Sequence, residues 1–219
     1  MPQQVAKALR EMIIAEKLKP GERIVESKIA RTLGIGQPTI REALKTLEME
    51  GLVVRQLNKG CTVTKLTREE FEKIFRARIE FEVLAVELAM ECWNEEKTTK
   101  MTEIMSRFRI AADAGDVPGY SQCDRDFHHG IWRATENPHL ERALVQTVTP
   151  LFAFEVVRAL QLQIHDLPNG YKRHQTVADA ILSGDREYAK HAMRQELLRG
   201  RSFAERFLPR ESAAIEPAP

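Results

Sequence analysis

Between Ile29 and Val63 the chain reads IARTLGIGQPTIREALKTLEMEGLVVRQLNKGCTV, and the order of its apolar, glycine and β-branched positions leaves the backbone few choices. Ile29, Ala30 and Leu33 mark one face of a short helix. Gly34-Ile35-Gly36 supplies a tight turn, and Ile40, Ala43, Leu44 and Leu47 then recur at helical spacing. Pro38 falls in the first turn of the second helix, where a missing N–H costs nothing, and Gly51 stands where a helix end wants a left-handed residue. Two β-rich segments follow, Leu52 to Arg55 and Cys61 to Thr64, joined by Gln56-Leu57-Asn58-Lys59-Gly60. Helix, glycine turn, helix and hairpin together describe a winged helix-turn-helix.

With the apolar face turned inward, Gln37, Thr39, Arg41 and Lys45 point outward from the second helix, and these are groups that bond base edges and phosphates. Asn58, Lys59 and Gly60 form the hairpin tip, placed to reach a phosphate or a minor groove. Charge agrees: residues 1 to 66 carry 12 Lys+Arg against 7 Asp+Glu, whereas residues 67 to 219 carry 21 against 25. The positive field sits on the part with the helix pair and suits double-stranded DNA as a partner. The blander use of such a domain is protein contact.

The 219 residues, 43% hydrophobic and 30% charged, suffice for two modest domains. The longest apolar stretch, Val145 to Leu162, is interrupted by Gln146, Pro150, Glu155, Arg158 and Gln161, so no membrane span is expected. The opening residues lack the layout of a signal peptide, which makes a cytoplasmic location the expectation. Cys61, Cys92 and Cys123 are scattered and odd in number, indicating neither a disulfide framework nor a cysteine metal site.

A first helix is expected over Gln4 to Lys17, and residues 1–66 form the winged-helix domain. Thr67 with Glu70 reads as a capping box that opens a second domain, 67–208. Its periodicity is helical throughout: helices are expected at 68–92, 97–114, 117–135, 137–162, 168–183 and 185–207. The expected fold is mainly α, a winged helix followed by an all-α six-helix bundle. The Pro- and Ala-rich tail, 209–219, is expected to be disordered.

Asp124 and His128 stand four apart in CDRDFHHGIW, which puts a carboxylate and an imidazole on one helical face. If the last two helices run antiparallel about Ser183-Gly184-Asp185, His174 lies opposite position 195 or 196, and Glu196 rather than His191 becomes the fourth group. The ordinary alternatives are a side-chain hydrogen bond for the first pair and a solvated or paired carboxylate for Glu196. His129, His139 and His165 have no partner in register. Arg78 lies amid Ile74, Phe75, Phe81 and Leu84 with Glu82 one turn on. An arginine so placed pairs with a carboxylate on its own helix or, facing a cavity, with that of a ligand.

These motifs resemble the GntR family of bacterial transcription regulators, in the branch with the FadR-type C-terminal (FCD) domain. The likeness runs through Pro20-Gly21-Glu22, Arg41-Glu42-Ala43-Leu44 and Gly51-Leu52. In the second domain it runs through Arg78 to Glu82, Asp124 to His128, Ala134 to Pro138, His174 and Gly184-Asp185. The resemblance implies a homodimer on a palindromic operator, with Thr39, Arg41 and Gly60 at DNA-contacting positions. It also implies a divalent metal (Zn, Mn, Fe or Ni) on Asp124, His128 and His174, beside which a small carboxylate effector binds. Two departures stand out. Glu196 occupies the place of a fourth histidine, which shifts the site toward harder ions such as Mn or Fe. Gly36 replaces a frequent serine cap, at a cost of about a few tenths of a kcal/mol. The expected function is therefore a ligand-responsive regulator, most simply a repressor, and not an enzyme. The competing reading is a metal-dependent enzyme in which Asp124, His128, His174 and Glu196 activate a water.

Overall fold

The computed structural model describes residues 1–56 and 60–208. It bears out a winged helix followed by helices alone. The chain runs through α1 (Pro2–Ile14), β1 (Arg23–Ile24), α2 (Glu26–Leu33), α3 (Gln37–Met49), β2 (Val53–Gln56) and β3 (Gly60–Val63). It continues through α4 (Arg68–Glu91), α5 (Glu95–Asp113), α6 (Val117–Ala134), α7 (Pro138–Leu162), α8 (Leu167–Leu182) and α9 (Arg186–Ala204), and a 3-10 turn over Glu205–Phe207 follows. Asn58 and Lys59 of the hairpin tip, and the tail 209–219, lie outside the described residues.

Local chemistry sets the helix ends. Gly51 takes φ +76°, and the amides of Gly51 and Leu52 donate to the carbonyls of Glu48 and Leu47, a full left-handed helix stop. Thr67 and Glu70 form the reciprocal capping box that opens α4. Asn137 caps α7, and Asp185 caps α9 after the left-handed Gly184. α1 stops three residues short of the expected Lys17, and α5 starts earlier than expected because Asn94 accepts from the Lys97 amide. The sheet has the order β1-β3-β2, all antiparallel, with Arg23 opposite Thr62 and Val54 opposite the same residue on the other side. β1 was not anticipated, since two residues carry no periodicity.

The apolar stretch expected to fall short of a membrane span lies on α7. This 25-residue helix, with a mean hydropathy of 1.4 over its most apolar 18-residue window, is long and apolar enough to cross a membrane by length and composition. Its packing explains the apolarity. Leu144, Val148 and Phe152 enter the core of the helical part, Leu151 joins a cluster with Phe71, Phe75 and Phe207, and Ala153 and Val157 complete the core of the winged helix. A helix that feeds three cores is apolar on nearly every side. The winged helix docks on it closely. A Cβ at Gly51 would lie 2.4 Å from the Thr149 carbonyl oxygen, so only glycine lets the α3–β2 corner reach the α7 backbone.

Candidate metal centre and DNA-facing surface

On α3, Gln37, Arg41 and Lys45 are exposed and Thr39 is half-buried, while Ile40, Ala43, Leu44 and Leu47 are fully buried beneath them. Arg41 Nε donates to Glu26 at 2.7 Å, a carboxylate it shares with Arg55 at 3.4 Å, and Lys45 pairs with Glu42 at 2.8 Å. These are solvent-exposed pairs, each worth about 0–1 kcal/mol, and they exchange readily for another anion. Gly36 caps α3 without any side-chain bond, as its composition requires. Gly60 takes φ +84°, and the Arg23 guanidinium comes within 3.6 Å of where its Cβ would sit. Arg23 is thus a cation beside the wing that the sequence did not single out, because β1 was invisible there.

In the helical part, α4, α6, α8 and α9 converge on a buried polar knot. Glu82 is fully buried and accepts from Arg78 Nε at 2.7 Å, from Trp132 Nε1 at 3.1 Å and from His128 Nδ1 at 2.5 Å. A carboxylate can only accept, so His128 carries its proton on Nδ1 and presents a lone pair at Nε2, where Arg78 donates at 3.2 Å. His174 repeats the arrangement: its Nδ1 donates to the Gly170 carbonyl at 2.8 Å, and its Nε2 points at Asp124 Oδ1, also at 2.8 Å. Both rings are therefore clamped at Nδ1 with Nε2 turned toward one point, the orientation that metal-binding histidines need.

The distances fit an ion. Between His128 Nε2 and His174 Nε2 there are 3.4 Å, and Asp124 Oδ1 lies 4.0 and 2.8 Å from them; the circle through three such atoms has a radius of about 2.0 Å. That is the usual bond length from Zn to imidazole nitrogen or carboxylate oxygen, about 2.0–2.2 Å. Glu196 faces the same point across the α8–α9 hairpin, with Oε1 3.7 Å from His174 Nε2. Its other oxygen is buried without a hydrogen-bond partner, a costly state that a cation or ligand would relieve. The hairpin register read from the sequence thus brings the two residues together, although Glu196 stops short of closing the triad of Asp124, His128 and His174. His191 lies elsewhere, on a groove outside.

Charge has been arranged around this point. Burial would raise Glu82, but His128 and Arg78 outweigh it and hold the carboxyl down to about 2. Burial likewise opposes ionisation of Asp124, yet the hydrogen bond and charge of His174 keep it well below the usual range. His174 is desolvated too, and Glu196 and Asp124 nevertheless raise it above its ordinary value. A proton on His174 Nε2 therefore fills the role that a bound cation would take.

Asp124 and His174 of the triad border a cavity of about 110 Å3 whose wall also includes Arg78, Glu155, Arg173 and Glu196. Arg78 is almost fully buried, with its guanidinium 4.9 Å from the Phe152 ring centroid. Sequence reasoning missed Glu155 and Arg173, and it set aside His165, which lines the cavity. Burial pushes Glu155 up to about 8, with Arg78 opposing. A carboxyl raised on folding holds its proton in the native state and loses it on unfolding, so its contribution falls as pH rises from about 4.5 toward about 8. Glu155→Gln is expected to flatten that part of the stability curve, seen as a smaller drop in Tm between pH 6 and 8 than in the parent. Equal drops in the two proteins would mean that Glu155 is already ionised at pH 6.

A winged helix that presents polar side chains on its second helix, joined to a helical part with a clamped histidine pair, defines a DNA-binding regulator with a built cavity. The chain belongs to the GntR family of bacterial regulatory proteins, whose pattern matches residues 2–63, and residues 73–199 match the FCD domain. It is 29% identical over 184 residues to the HTH-type transcriptional regulator YdhC of Bacillus subtilis, covering 83% of this chain and 81% of that protein. It is 28% identical over 195 residues to the probable D-xylose utilization operon transcriptional repressor of Paenarthrobacter nicotinovorans, covering 86% and 84%. Among solved structures, E. coli McbR/YncC has the same fold, with a TM-score of 0.71 at 20% identity over 94% of this chain and 98% of that one.

Proposed function

We propose that the protein is a homodimeric, cytoplasmic transcriptional repressor whose operator binding responds to a small organic acid held beside a divalent metal ion. The observation that carries this reading is the set of three ligand atoms spaced for one ion, with Asp124 and His174 of that set on the wall of a cavity. Asp124, His128 and His174 hold the metal, with Glu196 or water completing its shell; the mixed nitrogen and carboxylate set suits Mn or Fe, with Zn and Ni as alternatives. The metal supplies a Lewis-acidic anchor for the acid. Coordination of His128 Nε2 would take the lone pair that Arg78 now uses, leaving that N–H for a carboxylate. α7 supports the coupling, because Phe152, Glu155 and Val156 line the cavity while Ala153 and Val157 pack into the winged helix. An acid that favours one setting of α7 would shift the DNA-binding equilibrium by its differential affinity.

On the DNA side, Gln37, Thr39, Arg41 and Lys45 enter the major groove, with Arg41 leaving Glu26 for a base. Gly60 and the neighbouring Asn58 and Lys59 meet the minor groove. A dimer follows from one recognition helix per chain and a two-fold operator. The repressor function of the Paenarthrobacter relative supports the direction of control. If Arg41 makes a bidentate guanine contact, Arg41→Ala should cost about 1–3 kcal/mol and relax specificity at one position, whereas Lys45→Ala should weaken all sequences alike. Fluorescence anisotropy at fixed salt reads both, and an unchanged affinity in the Arg41 variant would remove the assignment.

A further inference from the structure

The ion pairs of α8 and α9 are unevenly distributed. On α9, Arg186, Lys190, Arg194 and Arg201 each pair with a carboxylate of α4. Lys172 and Arg173 on α8 and Arg199 on α9 have no carboxylate within 4 Å among the described residues, in a part of the chain where acids outnumber bases. These three cations line one groove between the two helices, outside the cavity. Arg173 alone faces both sides, since it also lines the cavity wall with His174 and Glu196. Its Nε is buried and has no hydrogen-bond partner, a desolvated donor whose cost only an acceptor would remove. Its guanidinium passes over Gly170, where an added Cβ would come within 3.6 Å of it and would collide with the Tyr120 hydroxyl. A glycine there leaves room for both side chains at the rim.

We infer that the effector carries two acidic groups, one bound inside the cavity at the metal and Arg78, the other received by Arg173 at the rim. This deepens the reading above and rests on it. Arg78 is committed to Glu82 through Nε, so it neutralises at most part of a ligand's charge. Arg173 has no such commitment and presents a planar fork suited to a carboxylate. Lys172 and Arg199 supply an outer field that draws dianions into the groove. A monoacid would leave Arg173 unsatisfied and gain nothing from the groove.

Isothermal titration of the full-length protein, loaded with one equivalent of Mn(II), compares matched acids that differ by one carboxylate: propionate with succinate, and lactate with malate. The diacid of at least one pair is expected to bind about tenfold tighter or more. Arg173→Gln should bring that diacid to the affinity of its monoacid, leaving the monoacid's affinity and the Mn content unchanged. Arg173→Lys should keep part of the preference, and metal retention with an unchanged melting curve establishes that each variant is folded. Diacids that bind no tighter than monoacids, or a preference that survives in Arg173→Gln through chelation by the metal alone, would overturn this inference while leaving the metal-and-acid reading intact. No binding of any of the four acids to the Mn-loaded parent would overturn both.

Discussion

Arg78→Ala is expected to destabilise the protein by about 3–5 kcal/mol, because it strands a buried carboxylate. Glu82 has no solvent exposure, and Arg78 supplies both a hydrogen bond at 2.7 Å and the neighbouring full positive charge. With the guanidinium gone, Glu82 keeps only His128 and Trp132 as donors, and the cation lying over Phe152 and Phe75 leaves a void. Truncating both ends is expected to be milder: Arg78→Met with Glu82→Leu should recover much of the loss, since two desolvated charges disappear together. Urea unfolding measures the pair of effects. A loss below about 1 kcal/mol for Arg78→Ala is what a solvent-screened pair would give, and it would contradict the burial assigned to the knot.

His128→Ala and His174→Ala should each reduce bound metal from about one ion per chain to a trace, an affinity loss of about 100-fold or more, at the upper end of the effect of removing a supporting hydrogen bond. Glu196→Gln should have a smaller effect, because its oxygen approaches the site at 3.7 Å without closing the triad. Binding must also depend on pH in a defined sense. His174 is raised above its ordinary value, so a proton competes for Nε2 more strongly than at a free histidine, and metal affinity should fall as pH is lowered through that value. Elemental analysis of protein purified without chelator decides the matter. Negligible metal in the parent, or equal metal in parent and both variants, would leave Asp124, His128 and His174 an ordinary polar core.

Much of this architecture can be read directly from residues that punctuate the chain. Gly34, Gly36, Pro38 and Gly51 place α2 and α3 with little ambiguity, and Thr67, Asn137 and Asp185 announce the helices they cap, because capping is a local interaction between residues two or three apart. The pairing of His174 with Glu196 is legible for a related reason: in an antiparallel hairpin, distance from the turn fixes which residues face each other. Glu155 and Arg173 are not legible. Whether a single charged residue on a helix faces solvent or a cavity depends on the rotation of that helix against its neighbours, and α7 is too apolar all round to reveal an inward face. The same property made α7 look unexceptional as a broken apolar stretch, although it is the helix that joins the two parts. Arg23 escaped notice because a two-residue strand is defined by its partner β3 and by nothing in its own sequence.

The central claim is that an acid bound at the metal centre changes the affinity for DNA. Fluorescence anisotropy tests it with a duplex selected from random sequence, Mn(II)-loaded full-length protein, and an acid shown by calorimetry to bind. The account predicts a change in Kd of about fivefold or more on adding the acid to the parent and none in His174→Ala, in line with coupling free energies of about 1–3 kcal/mol. The same change in His174→Ala, or no change in the parent, would contradict it.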